Sequence, residues 1–235
     1  DAGLTPLLPE ADGMYMRSDG GLSHRSEWTG AMAVLSGPAG GVVATARIAA
    51  AAGIDAAFGI DMGGTSTDVS RWDRGFTYQF EQTIGDVTLA TEALDITTVA
   101  AGGGSICHAV DGELDVGPRS GGADPGPACY GRGGPLCLTD VNLLMGRIDP
   151  MRFGVPIDVA AAQCAFDEVT DGMKADAALD RFLARANRRM ADAVARISIR
   201  QGCDPIDFVL VAFGGAGPQH ACAVADALSI RSILV

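Results

Sequence analysis

The chain has 235 residues, 48% hydrophobic and 20% charged, the make-up of a globular protein with room for one large domain or two small ones. Its net charge of −12, with Arg188-Arg189 as the one adjacent basic pair, argues against a nucleic-acid surface, which needs clustered cations to neutralise phosphates. No apolar run approaches the ~20 residues of a membrane-spanning helix, so neither a polyanion nor a bilayer is an expected partner.

Residues 1 to 12 read as a polar lead-in, without the basic region and apolar core of a signal peptide. Met14-Tyr15-Met16 then predicts a short strand that ends in Ser18-Asp19-Gly20-Gly21. Strand ends are where open α/β sheets place ligands, so Asp19 suits either a ligand contact or a simple turn cap. Next, Ala33-Val34-Leu35 leads into Ser36-Gly37-Pro38-Ala39-Gly40-Gly41 and an Ala/Val-rich segment. This predicts a helix to Ala52 with Ser36 as N-cap, Pro38 in the first turn and Gly53 as C-cap, its first N–H groups able to face an anion.

The chain is organised around Gly59-Ile60-Asp61-Met62-Gly63-Gly64-Thr65-Ser66-Thr67-Asp68-Val69-Ser70. Ala56-Ala57-Phe58 with Ile60 reads as a buried strand, and Asp68 to Trp72 alternates polar with apolar residues, so a hairpin with a glycine turn is expected. Gly63 and Gly64 carry no Cβ to hold a ligand off the backbone N–H groups, and Thr65, Ser66 and Thr67 add hydroxyls. Such a turn suits a phosphate. Asp61 and Asp68 on either side suit a hydrated divalent cation such as Mg²⁺, which touches few protein oxygens. A tight hairpin with polar decoration would use the same residues.

Further along, Phe76 to Glu81 alternates as a strand and Val87-Thr88-Leu89 suggests another. Leu94 to Val99, with Asp95, leads into Gly102-Gly103-Gly104-Ser105, and three successive glycines imply a very close approach by something else. Asp111-Gly112 between Ile106 to Val110 and Glu113 to Val116 predicts a β-hairpin. Residues 117 to 135 form a Gly/Pro-rich loop. Its length points to function or disorder, and Cys129 and Tyr130 within it weigh against disorder.

Thr139 is expected to cap a helix from Asp140 to Met145 that stops at Gly146. Asp158 leads a helix over Val159 to Val169, and Asp176 to Arg200, closed by Gly202, is a longer one. In the latter Leu179, Phe182, Leu183, Ala186, Met190, Ala193, Val194 and Ile197 recur at helical spacing, a structural stripe with arginines opposite. Phe208 to Phe213 is a buried strand delivering Gly214-Gly215-Ala216-Gly217, with Pro218 opening a helix to Leu228. Strand, glycine turn and helix start is an arrangement that can meet a nucleotide. His220 and Cys222 are two apart and share no helical face, so they make no zinc site by themselves. The six cysteines (Cys107, Cys129, Cys137, Cys164, Cys203, Cys222) contain no C-x-x-C and no disulfide framework. Most are expected to be buried thiols in a reducing cytoplasm, with no structural zinc on Cys129, Cys203 or Cys222.

Taken together, Asp61 to Ser70 resembles the second phosphate loop of the hydantoinase A/5-oxoprolinase family, within the actin/hexokinase/Hsp70 (ribonuclease H-like) ATPase superfold. Leu35 to Gly41, Thr98 to Ser105, Val116-Gly117-Pro118, Gly122 to Gly131, Leu138 to Asn142 and Ala212 to Ala221 are similar to family blocks in the family's order. Ser120-Gly121-Gly122-Ala123 departs from the family's usual Ser-Ala-Gly-Ala before Asp124-Pro125-Gly126-Pro127. No second Asp-x-Gly-Gly-Thr-x-Thr-Asp occurs, and the terminal Ser232-Ile233-Leu234-Val235 reads as a strand with nothing closing it. Residues 1–235 are therefore expected to be the central hydantoinase A-type domain of a longer subunit, lacking the first phosphate loop and inactive alone.

The resemblance implies an α/β fold, one half of an actin-like ATPase, with a mixed sheet, β-hairpins and flanking helices. It implies a cytoplasmic enzyme that uses ATP and Mg²⁺ to phosphorylate the carbonyl of a cyclic amide, a hydantoin or 5-oxoproline, before hydrolysis, together with a hydantoinase B-type partner. Gly63, Gly64, Thr65, Ser66 and Thr67 would cradle phosphates, and Gly214, Gly215 and Gly217 would pack on the adenosine. Asp61, Asp68 and Asp19 would be catalytic, with Asp61 and Asp68 also serving the metal. Gly103, Gly104, Ser105, Asp124 and Cys129 would meet the substrate. A ketone carboxylase subunit, which shares the phosphorylation chemistry, and a nucleotide-binding scaffold without chemistry of its own are the alternatives.

Overall fold

A computed structural model describes residues 12–84 and 86–235, so the lead-in expected over residues 1 to 12 lies, except for Asp12, outside the described residues. In chain order the elements are β1 (Met14–Met16), β2 (Leu22–His24), α1 (Ser36–Ala51), β3 (Ala56–Met62), β4 (Thr67–Asp73), β5 (Tyr78–Gln79), β6 (Gln82–Ile84), β7 (Val87–Leu89), β8 (Ala93–Leu94) and β9 (Ile96–Val99). Then come β10 (Ser105–Val110), β11 (Glu113–Ser120), α2 (Leu138–Leu144), α3 (Val159–Thr170), α4 (Ala175–Gln201), β12 (Val209–Phe213), α5 (Gly217–Leu228) and β13 (Ile233–Leu234).

The central sheet runs β13-β12-β3-β4-β9. β12 pairs parallel with both β13 and β3, while β3 with β4 and β4 with β9 are antiparallel. Because side chains alternate along a strand, β3 sends Phe58, Ile60 and Met62 to one face, where they join α4 and α5 in the main core. Ala57 goes to the other face and packs with Ala49 of α1 and Val211 of β12. Gly59 lies on that second face, and a Cβ there would collide with Thr45 of α1. Glycine at 59 is what lets the helix lie so close to the strand. Both faces are thus covered by helices, the layered arrangement that a half-parallel sheet requires.

The long helix follows its sequence pattern, since Leu179, Phe182, Leu183, Ala186, Met190, Ala193, Val194 and Ile197 are all buried. Gly202 caps it with φ of 64°. Asp158 caps α3 by accepting from the Ala161 N–H, and the Asp111-Gly112 hairpin forms as expected. Three local readings change. Ser36 is the first residue of α1 and Leu35 holds the cap position, because the Leu35 N–H donates to the buried Ser18 hydroxyl, which tethers the chain one residue earlier. Cys137, not Thr139, precedes α2 as its cap, since the Thr139 N–H and hydroxyl are both committed to the Gly103 carbonyl. The strand expected over Phe76 to Glu81 shrinks to Tyr78–Gln79, as its partner β8 offers only two residues to pair with. No helix among the described residues is long and apolar enough to cross a membrane.

Candidate functional site

β3 and β4 are in register so that Asp61 stands directly opposite Asp68. With Gly63, Gly64, Thr65 and Ser66 they line a hollow of about 280 Å³, and the turn is closed by the Gly63 N–H on the Ser66 carbonyl at 3.1 Å. Asp68 accepts a hydrogen bond of 2.6 Å from the Thr98 hydroxyl, and no described basic side chain pairs with either carboxylate. Burial, and then the Asp68 charge, raise the pKa of Asp61 above the ordinary carboxylate value. Two facing carboxylates with no basic side chain paired to either make a negative mouth at the rim of a glycine turn.

That turn rests on the three-glycine segment. The N–H groups of Gly103 and Gly104 donate to the carbonyls of Gly63 and Gly64 at 2.9 and 2.6 Å. A Cβ on Gly102 would lie 2.6 Å from both the Ser66 nitrogen and the Thr65 carbonyl carbon. The close approach implied by the glycine run is therefore one glycine turn against the other. From beneath, Thr139 donates through its N–H and hydroxyl to the Gly103 carbonyl at 2.7 and 2.9 Å. Thr67, at the other edge, is buried and gives its hydroxyl to the Ala101 carbonyl at 2.5 Å, so it anchors the turn and does not face the hollow. We expect Gly102→Ala to lower stability by about 1–3 kcal/mol, the usual range for overpacking. In amide exchange the loosened residues should be Gly103 and Gly104; unchanged protection there would contradict the seat.

The second glycine turn meets the first at the same mouth. Phe213 is in parallel register with Asp61, and the Ala216 N–H donates to the Met62 carbonyl at 2.9 Å. Gly214 has φ of +82°, and a Cβ on it would stand 2.5 Å from both Asp61 Oδ1 and the Met62 carbonyl oxygen. No other residue fits there. Gly215 is exposed and a Cβ on it would meet nothing within 4 Å, although its carbonyl accepts from Gln219 Nε2 at 3.3 Å, while Gly217 is buried at the start of α5. On the far side a Cβ on Gly41 of α1 would lie 3.2 Å from Asp61 Oδ2. Asp61 is thus flanked by the turn of β3–β4, the turn after β12 and the first half of α1.

Other residues singled out from the sequence lie elsewhere. Asp19 lines a separate hollow with Arg17, Ser18, Met32, Thr91 and Glu92, and its carboxylate is held by Arg17 and the Gly21 N–H. Burial would push Asp19 up, but those donors outweigh it and leave the carboxyl below its ordinary value. Asp95 accepts from Arg200 and Gln79, an anchor for the end of α4. Gly103, Gly104 and Ser105 are buried in the seat, with the Ser105 hydroxyl accepting from the Gly102 N–H at 2.8 Å, so none of the three presents a surface to a substrate. Asp124 is exposed on its loop.

Cys129 is fully buried. Burial, reinforced by the Asp140 carboxylate, drives its thiol far above the usual range, so it offers neither access nor a thiolate. Burial and Asp140 likewise push Cys137 up to about 12. The expectation that most cysteines are buried holds for Cys107, Cys129 and Cys137, whereas Cys164 and Cys222 are exposed and Cys203 is intermediate. Among the described residues no three His, Cys, Asp or Glu side chains cluster as a metal site.

Sequence reasoning missed the role of Asp140. This fully buried carboxylate accepts from the N–H groups of Ala128, Cys129 and Cys137 at 3.1, 2.8 and 2.7 Å. It ties the Gly/Pro-rich loop to the start of α2, which explains how so long a loop is ordered. Its position three residues after the cap of α2 is the only local signal for it.

Comparison with known proteins bears on this site. A hydantoinase/oxoprolinase family model matches residues 3–235. A 5-oxoprolinase of Pestalotiopsis fici is 44% identical over 239 residues, covering 94% of this chain and 19% of that protein. The crystal structure of the ATP-dependent caprolactamase from Pseudomonas jessenii superimposes with a TM-score of 0.82 at 30% identity, covering 99% of this chain and 36% of the other. A nucleotide-free acetone carboxylase structure gives a TM-score of 0.85 over 95% of this chain and 33% of its own, and at 23% identity it speaks to the fold alone. The fold is the mixed α/β arrangement expected from the sequence, consistent with an actin-like ATPase. The chain spans about a fifth of the curated relative and about a third of each solved one.

Proposed function

From the membership of this chain in the hydantoinase/oxoprolinase family, we propose that it is the central domain of a longer subunit that hydrolyses a cyclic amide with ATP. The substrate class is a hydantoin or 5-oxoproline, and a hydantoinase B-type subunit or domain is the partner. The observation that carries this reading is the convergence of two glycine turns on Asp61, in a chain whose relatives include a 5-oxoprolinase and an ATP-dependent caprolactamase.

The chemistry explains the need for the nucleotide. Resonance makes an amide carbonyl a poor electrophile, and placing a phosphoryl group on its oxygen gives water a carbon it can attack. The protein's part is positioning and charge stabilisation. Backbone N–H groups and hydroxyls at Gly63, Gly64, Thr65 and Ser66 cradle the phosphates, while the exposed Gly215, between Gly214 and Gly217, takes the adenosine side. Asp61 and Asp68 fit a hydrated Mg²⁺, since they are two half-buried facing carboxylates with no basic partner and such an ion keeps most of its waters. When bound there, such an ion would supply positive charge between the phosphates and the two carboxylates. Asp61, held between the two turns, is the better placed of the pair to orient the reacting groups. Substrate contacts belong to parts of the longer protein that face this mouth, and on this chain only Asp124, among the substrate candidates, is exposed to contribute.

Incubating the full-length protein and its partner with hydantoin, with 5-oxoproline, or with a ketone plus bicarbonate, and measuring substrate-dependent ADP release, tests the reading. Release with either cyclic amide is expected. Release only with ketone and bicarbonate would assign a carboxylase instead, and release with none would leave a nucleotide-binding scaffold.

A further inference from the structure

Three helices that share no covalent turn meet at one imidazole. His220, in the first turn of α5, is fully buried, with Nδ1 2.7 Å from Asn187 Oδ1 of α4 and Nε2 3.1 Å from Asn142 Nδ2 of α2. Asn142 Nδ2 also donates to the Leu138 carbonyl at 3.2 Å, which fixes the amide end facing the ring as a donor. Nε2 is therefore the acceptor, and Nδ1 carries the proton and donates to Asn187. One neutral tautomer satisfies both neighbours. Turning the Asn142 amide round would set its oxygen against the Nε2 lone pair and the Leu138 carbonyl, so its Oδ1 stays buried without a partner.

We propose that His220 is a positioning residue that fixes the first turn of α5, and with it the Gly214–Gly217 turn, at a set distance from the phosphate turn. The bonds form a closed circuit. Gly63 is held by Gly103, Gly103 by Thr139 at the start of α2, and α2 by Asn142 to His220. α5 then returns through the Ala216 N–H to the Met62 carbonyl, next to Gly63. Arg147, which follows α2, adds a second tether by donating to the Gln219 carbonyl at 3.1 Å. Burial, and then the Arg147 charge, hold the imidazole down at about 4, so the neutral form persists across the physiological range. An apolar side chain would keep α5 packed through Ala221, Val224 and Ala225 but would strip Asn187 Oδ1 of its donor, leave Asn142 Nδ2 bonded to Leu138 alone and open the circuit.

The consequence for ATP rests on the reading above, whereas the consequence for the turn does not. In the full-length protein, His220→Leu should speed amide exchange at Ala216 by about tenfold or more relative to the global rate, and raise KM for ATP by about tenfold with a smaller change in kcat. His220→Asn, which keeps an N–H donor toward Asn187, should recover most of both. Phe166→Leu, a comparably buried change in α3, should lower Tm and move neither. Ala216 exchange no faster in His220→Leu than in Phe166→Leu would overturn the proposal. Should His220→Leu fail to fold, Asn187→Ala removes only the acceptor opposite Nδ1, and unchanged Ala216 exchange in that variant would overturn it equally. Exchange is read without nucleotide, so wild-type protein that shows no ATP-dependent turnover would defeat the functional reading and leave this test standing.

Discussion

Asp61→Asn in the full-length protein is expected to cut ATP-dependent turnover by about 10²-fold or more, the scale for losing a group that acts in the transition state. The same substitution should leave the ligand-free protein folded and slightly raise its Tm at neutral pH. The sign follows from the site. Burial and the facing Asp68 raise the folded-state pKa of Asp61, so the folded state holds that proton more tightly than the unfolded chain. Between the unfolded and folded values, stability falls as pH rises, and above both the full penalty remains. Asparagine removes the charge and the penalty with it. A variant that loses several degrees of Tm and keeps turnover within a few-fold of wild type would make Asp61 a turn carboxylate and nothing more.

Asp140→Ala carries the largest expected loss of stability, about 3–5 kcal/mol, because one buried carboxylate satisfies three backbone donors that would all be stranded. Asp140→Asn, which retains a single acceptor oxygen, should recover part of this. Urea unfolding monitored by fluorescence gives the comparison, and the Gly/Pro-rich loop should become the first site of proteolysis in the alanine variant. If Asp140→Ala unfolds within about 1 kcal/mol of wild type, the loop is held by something other than this carboxylate.

Local pattern carried much of the architecture. The α4 stripe, the Asp111-Gly112 hairpin, the β3–β4 hairpin and the helix after Gly217 are each set by side-chain period and turn chemistry within one helix or hairpin, and each formed where its residues predicted. The glycine turn between β3 and β4 was legible for the same reason, since Gly63-Gly64 stands between a buried run and an alternating one. Tertiary structure decided what those residues face. Thr67 looks like Thr65 in the sequence, yet the first opens β4 and is buried against Ala101, whereas the second lies in the turn and stays open. Gly103, Gly104 and Ser105 invite a ligand until the chain folds and the Gly63-Gly64 turn occupies the space. Asp19 in the turn after β1 and Asp61 near the end of β3 look alike in the sequence, but Arg17 neutralises one while the other faces Asp68. Asp140 draws its role from donors 11 to 12 residues away, and His220 from an acceptor 33 and a donor 78 residues away. Sequence fixes the chemistry a side chain can offer and, over short spans, the backbone that carries it; which partner receives that chemistry depends on long-range packing, and no local pattern encodes it.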